Sequence, residues 1–224
     1  MQNRQIQQKM SYKKLILKKY LKEETMMSKS NPTRILIDLI SLQKEKEDKK
    51  NIWKDSSFHF LPTLQSNNVG NVGENLIQTI CQNTGIESSV DGSKTKQKGL
   101  GDGIILGKSV EIKTAHLGSD ASSLQHELGE QPWISDYLMF IDITPTNFYI
   151  TVMKNFTEEH YKNGSKCEPY FPTKSVTWRK KKGAFKLDTT IKINEKSVEN
   201  GYAIKMTDKT TFEEVGNFIR ASIK

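Results

Sequence analysis

Asp102, Glu111 and Lys113 are the side chains whose types and spacing could do chemistry on a phosphodiester. They fall in the stretch Gly99–Ala115, GLGDGIILGKSVEIKTA. Two carboxylates offer hard oxygen ligands to a divalent cation such as Mg2+, which keeps several of its waters when bound. A cation so placed polarises a phosphodiester, helps to ionise a bound water and stabilises the leaving oxygen. An ammonium beside it orients that water or takes up charge on the phosphoryl oxygens. Glu-x-Lys alone is equally the signature of an exposed strand with a surface ion pair. What favours chemistry is the company it keeps: a Gly-Asp-Gly start, apolar packing residues and a carboxylate upstream.

For these groups to meet, the chain must fold back on itself. Ile104–Leu106 is a short apolar run, and Gly107-Lys108 reads as a hairpin tip. Val110, Glu111, Ile112 and Lys113 then alternate apolar and polar, the period of a half-buried strand. Successive side chains of a strand point to opposite faces. Glu111 and Lys113 therefore share one face, Val110 and Ile112 pack on the other, and the hairpin brings Asp102 beside Glu111. Upstream, the pattern predicts a helix from about Asn71 to Asn83. Leu76, Ile77, Ile80 and Cys81 form its buried stripe and Gly85 stops it. Glu74, near its start, either faces the site or serves only as a favourable charge at a helix N-terminus.

Asp102, eight intervening residues, then Glu111-Ile112-Lys113 resembles the PD-(D/E)XK nuclease motif, with Gly101 where a proline often stands. The run Gly70-Asn-Val-Gly-Glu-Asn-Leu-Ile-Gln-Thr-Ile-Cys81 is similar to the helix that precedes the motif in that superfamily, with Glu74 as its site-facing acid. Val-Glu-Ile-Lys-Thr is similar to the strand of mismatch-repair nicking enzymes and their restriction-enzyme relatives. The resemblance covers about residues 66–155. It implies an α/β, restriction endonuclease-like fold with a central mixed sheet flanked by helices. It implies Mg2+ held by Asp102 and Glu111, with Glu74 in support. Lys113 would position the attacking water or the transition-state charge, and in-line hydrolysis would leave a 5′ phosphate. The function implied is that of a type II restriction endonuclease acting on double-stranded DNA. A homodimer is expected, because double-strand cutting at a palindrome suits two-fold symmetry. A cognate DNA methyltransferase is expected in the same system, though not as a physical partner.

Charge is distributed unevenly. Residues 1–54 hold 14 Lys/Arg and 6 Asp/Glu, whereas residues 55–224 hold 20 of each. The excess of +8 thus lies in the N-terminal quarter, read as a basic helical extension (1–54) ahead of the nuclease domain (55–224). One helix is expected over 1–27 and another from Pro32. The extension reads equally as a DNA clamp, a dimerisation element, simple packing or a solvated lysine surface; a helix-turn-helix has no recognition-helix pattern to support it. From Lys174 to Lys186 there are six basic residues and no acid. Such a cluster attracts phosphate backbones through counterion release. Two strands around it, ending near Ile193, would form a basic hairpin able to enter a DNA groove. Arg179, Lys180, Lys181, Lys182 and Lys186 are its candidate DNA contacts, Arg179 the best placed in kind for a guanine.

His116–Ser123 is a Gly/Ser-rich connection, within which Asp120 or Ser122 would cap a helix to about Glu130. Gln125 and His126 there can read base edges or hold phosphates; His126 also reads as an ordinary surface histidine. Tyr137–Thr144 and Phe148–Met153 are strands joined by a turn at Pro145. Thr157–Tyr161 reads as a short helix. Thr210–Ile223 reads as an amphipathic helix burying Phe212, Val215, Phe218, Ile219 and Ile223. No stretch reaches the ~18 consecutive apolar residues of a membrane helix, no secretory signal opens the chain, and Cys81 and Cys167 form no metal-spacing pattern. A reduced cytoplasmic protein with no membrane partner is expected. A repair or nicking endonuclease would carry the same site; a non-catalytic DNA-binding protein and an RNA- or tRNA-directed nuclease are the other readings.

Overall fold

The structure, a computed structural model, describes residues 32–90, 101–118, 123–129, 133–156, 177–181 and 184–224. The helix expected over 1–27, the helix expected at Thr157–Tyr161, Cys167 and Lys182 lie outside the described residues. The chain divides into two units between Lys50 and Asn51. In the first, helix α1 runs Pro32–Asp48. Proline suits its first position, since the missing N–H would have no partner there.

The larger unit carries two sheets. The central one joins β1 (Ser88–Val90), β2 (Gly103–Ile105), β3 (Lys108–His116), β5 (Tyr137–Ile143), β6 (Phe148–Lys154) and β9 (Ala203–Met206), in that spatial order. Only β3 and β5 pair in parallel; the other pairs are antiparallel. The second sheet is antiparallel, β4 (Leu124–Gly129), β8 (Ala184–Thr189) and β7 (Thr177–Lys181) in spatial order. Helices α2 (Ser66–Asn83), α3 (Ile191–Glu199) and α4 (Phe212–Ser222), with a short 3-10 turn at Leu61–Thr63, complete the described elements. The fold is therefore mixed α/β with a six-stranded, mostly antiparallel central sheet.

Strand β5, Tyr-Leu-Met-Phe-Ile-Asp-Ile, is buried along its whole length, as a strand covered on both faces must be. Met139 and Ile141 join a core with Ile77 and Ile80 of α2, Val110 and Ile112 of β3, and Val215 and Ile219 of α4. Leu138 and Phe140, of opposite parity, join a second core with Leu128 of β4, Leu187 of β8 and Ile193 of α3. Each fully buried side chain of this kind contributes roughly 1.5–3 kcal/mol relative to exposure. Helix α4 begins with a capping box, in which Thr211 accepts from Glu214 N–H and the Glu214 side chain accepts from the Thr211 N–H.

The β2–β3 hairpin turns through Leu106 and Gly107, one residue earlier than the sequence predicts, so Lys108 already belongs to β3 and pairs with Ile105. Both loop residues have positive φ, 51° and 74°, as the tight turns that match strand twist require. Leucine is disfavoured there by its Cβ. Leu106→Asn is expected to raise stability by about 0.5–1 kcal/mol, read as a higher urea midpoint at unchanged slope.

Helix α2 begins at Ser66, five residues before the expected Asn71. Ser66-Asn-Asn looks like a turn in sequence, yet Val69 is buried and draws the extra turn onto the core. Glu74 consequently stands in the middle of the helix rather than near its start. Gly73 is where α2 meets β3: a Cβ there would overlap Thr114 Oγ1 and come within 3.0 Å of Ile141 Cδ1. Gly73→Ala should therefore destabilise the protein by about 1–3 kcal/mol through overpacking, despite alanine's better helix propensity. A gain in melting temperature would show that the helix can shift away.

Three further expectations are corrected. The helix expected before Glu130 is strand β4; its alternation, with Leu124, His126 and Leu128 buried against exposed Gln125 and Glu127, is the period of two. The strand expected to reach Ile193 stops at Thr189, where Thr190 caps α3 by accepting from Ile193 N–H. Phe212 is 52% exposed, since it is the first residue of α4 and lies off the stripe of Val215, Ile219 and Ile223. Strands β1 and β9 had no signal long enough to read. Among the described residues no helix is long and apolar enough to cross a membrane.

Candidate active site

Strand β3 carries the site, and its ends are pinned. At its start, Asp136, one residue before β5, accepts hydrogen bonds from Ser109 N (2.9 Å) and Ser109 Oγ (2.8 Å). These two bonds hold the Asp136 carboxyl below its usual range, because they favour its charged form. They also fix the parallel register in which Glu111 faces Leu138 and Lys113 faces Phe140. Beyond its end, Leu117 O accepts from the buried Trp53 indole at 3.3 Å. Trp53 falls in the larger unit, which starts at Asn51, a little before the composition break at 54.

Val110 and Ile112 are buried and Glu111 and Lys113 half-buried, the alternation expected of this strand. Lys113 Nζ donates to Glu111 Oε1. Asp102 is almost wholly buried, and two bonds fasten it across from Glu111. Its N–H donates to Val110 O at 2.8 Å, and its Oδ2 accepts from Ile112 N at 2.7 Å. The hydrogen bonds thus bracket Glu111 on either side in sequence. Gly101 makes this approach available: its φ is +67°, and a Cβ there would collide with the Val110 carbonyl, so only glycine fits.

These groups line an open cavity of about 1630 Å³. Glu74 of α2 reaches the same cavity, as do Gln125, His126 and Glu127 of β4 and Lys186 of β8. The fold thus brings Asp102, Glu111, Lys113 and Glu74 to one concavity, which part of the candidate nucleic-acid set also lines. Arg179, Lys180 and Lys181 lie on β7, where Arg179 pairs in register with Lys186. Lys186 itself is salt-bridged to Glu127 at 3.2 Å. His126 is not the surface histidine anticipated from sequence. It is 2% exposed, and its Nε2 lies 2.8 Å from Asp142 Oδ1. A carboxylate accepts, so Nε2 carries the proton. Asn194 Nδ2 donates to Asp142 Oδ2 at 3.0 Å, so one fully buried carboxylate ties β4, β5 and α3 together beneath the cavity.

Neither Asp142 nor Asp188, which accepts from Gln125 Nε2 at 2.7 Å, is among the site residues that the sequence singles out. Both partners lie far away in sequence, and no local pattern marks them. Among the described residues, no three His, Cys, Asp or Glu side chains form a ready-made metal cage. Mg2+ seldom uses one; it binds through one or two carboxylates, waters and substrate phosphates. The all-oxygen pair of Asp102 and Glu111 fits that habit.

Comparison with protein-family models and with curated proteins gives no match for this chain.

Proposed function

We propose that the protein is a Mg2+-dependent DNA endonuclease of the PD-(D/E)XK kind, acting as a type II restriction enzyme on double-stranded DNA. The observation that carries this reading is the fastening of Asp102 across from Glu111, with Lys113 on the same strand face and all three opening into a cavity large enough for a nucleic-acid backbone. A surface ion pair needs neither the buried aspartate nor the concavity.

In this reading Asp102 and Glu111 would hold Mg2+, which when bound supplies Lewis-acid polarisation of the phosphodiester and stabilises the departing oxygen. Lys113 places its ammonium where it orients the attacking water or takes up charge developing on the phosphoryl oxygens. Asp102 keeps its place because its carboxylate is tied to the β3 backbone rather than left to rotate. Glu74 supports the site from α2. The bond that forms is water oxygen to phosphorus, and the one that breaks is phosphorus to the 3′ oxygen, leaving a 5′ phosphate and a 3′ hydroxyl. The basic strand β7 and Lys186 supply contacts to the DNA, and a homodimer would place two such sites on opposite strands.

The test is digestion of several long, unmodified DNAs by purified protein with Mg2+, followed by end sequencing. Discrete fragments sharing one end sequence are expected. Single-strand nicks would move the reading to a repair or nicking enzyme of the same chemistry. Binding without cleavage on any DNA would reject the enzyme and leave a DNA-binding protein.

A further inference from the structure

Gln125 stands out among the β4 residues that line the same cavity as the carboxylates. Its side chain lines the cavity, yet both ends of its amide are already held. Nε2 donates to Asp188 Oδ1 at 2.7 Å, and Oε1 accepts from Lys186 Nζ at 2.9 Å. Asp188 is 8% exposed and sits directly opposite Gln125 in the β4–β8 register. Lys186 is in turn salt-bridged to Glu127 at 3.2 Å. An exposed glutamine ordinarily samples many rotamers and either amide orientation. Here a carboxylate, which only accepts, and an ammonium, which only donates, fix which end is nitrogen and which is oxygen. The amide retains one N–H and one oxygen lone pair beyond these bonds.

A glutamine with fixed polarity is suited to one partner among the bases. Adenine presents an acceptor, N7, beside a donor, N6–H, in the major groove, and a glutamine amide meets both at once. Guanine presents two acceptors there, and only one of them would find a donor. The sheet that carries Gln125 also carries the basic strand β7, paired to β8 from Thr177 to Lys181, and a β-ribbon is one of the elements a major groove admits. We propose that Gln125, held by Asp188 and Lys186, is a specificity-determining residue that reads an adenine in the recognised DNA. The inference rests on the DNA endonuclease reading.

The experiment digests a pool of random-sequence duplexes with Mg2+ and sequences the ends, comparing the natural chain with Gln125→Ala and Gln125→Glu. The natural chain should yield a motif containing an A·T position. In Gln125→Ala, preference at that position alone should fall by about tenfold or more, with the rest of the motif kept. Gln125→Glu keeps the length but loses the donor, and should turn preference away from adenine at the same position. A motif unchanged in both variants, or one relaxed at a G·C position, overturns the assignment of Gln125 and leaves the endonuclease standing. An absence of cleavage by the natural chain overturns the endonuclease reading and this inference with it.

Discussion

Lys113→Ala is expected to lower DNA cleavage by roughly 10²- to 10³-fold or more, the scale on which an enzyme loses a preorganised charge aimed at the transition state, while DNA affinity stays within a few fold. Lys113 is half-buried and donates to Glu111, its neighbour on the same strand face, so the substitution removes the ammonium from the cavity without opening the core. Affinity should hold because the candidate phosphate contacts lie on the other sheet. Lys113→Arg is not a conservative control here. A planar guanidinium presents its charge in a fixed fork rather than as a compact point, and it should recover little activity. Single-turnover cleavage of a supercoiled plasmid, alongside a gel-shift titration, separates the two effects. Full-rate cleavage by a clean Lys113→Ala preparation would remove this residue from the mechanism.

Asp142→Ala should be the most damaging single change to the fold. The carboxylate has no exposure and accepts from His126 Nε2 and Asn194 Nδ2. Truncating it strands two buried donors at once, and each unsatisfied buried donor costs about 1–3 kcal/mol. That is a large share of the roughly 5–15 kcal/mol that holds a typical domain together. Because Asp142 joins β5 to β4 and to α3, the loss should also loosen the wall that carries Gln125. Asp142→Asn keeps the shape and one acceptor and should cost less. Urea unfolding of both variants measures the difference; a change below about 1 kcal/mol for Asp142→Ala would show that the cluster is not holding the sheets together.

What the sequence determined by itself is confined to local periodicity and short spacing. The alternation of Val110 to Lys113 suffices to set which residues of β3 face the core and which face the cavity, because a strand's period is two whatever surrounds it. The apolar run at Tyr137–Ile141 likewise specifies a buried strand, and the Thr211–Glu214 capping pair and apolar stripe specify a helix. Asp102 could be placed beside Glu111 because a tight hairpin lies between them. The tertiary structure alone decided the rest. Ser66–Gly70 became helix because Val69 has a core to enter, overriding a turn-like composition. Leu124–Gly129 became a strand because β8, more than fifty residues later, supplies its hydrogen bonds. His126 went inside because Asp142 and Asn194 were there to satisfy it. Gln125 acquired a fixed amide because Asp188 and Lys186 lie opposite. In each case the contact that settles the outcome joins residues distant along the chain, and a local pattern, even the period of two over Leu124–Leu128, does not name the partner.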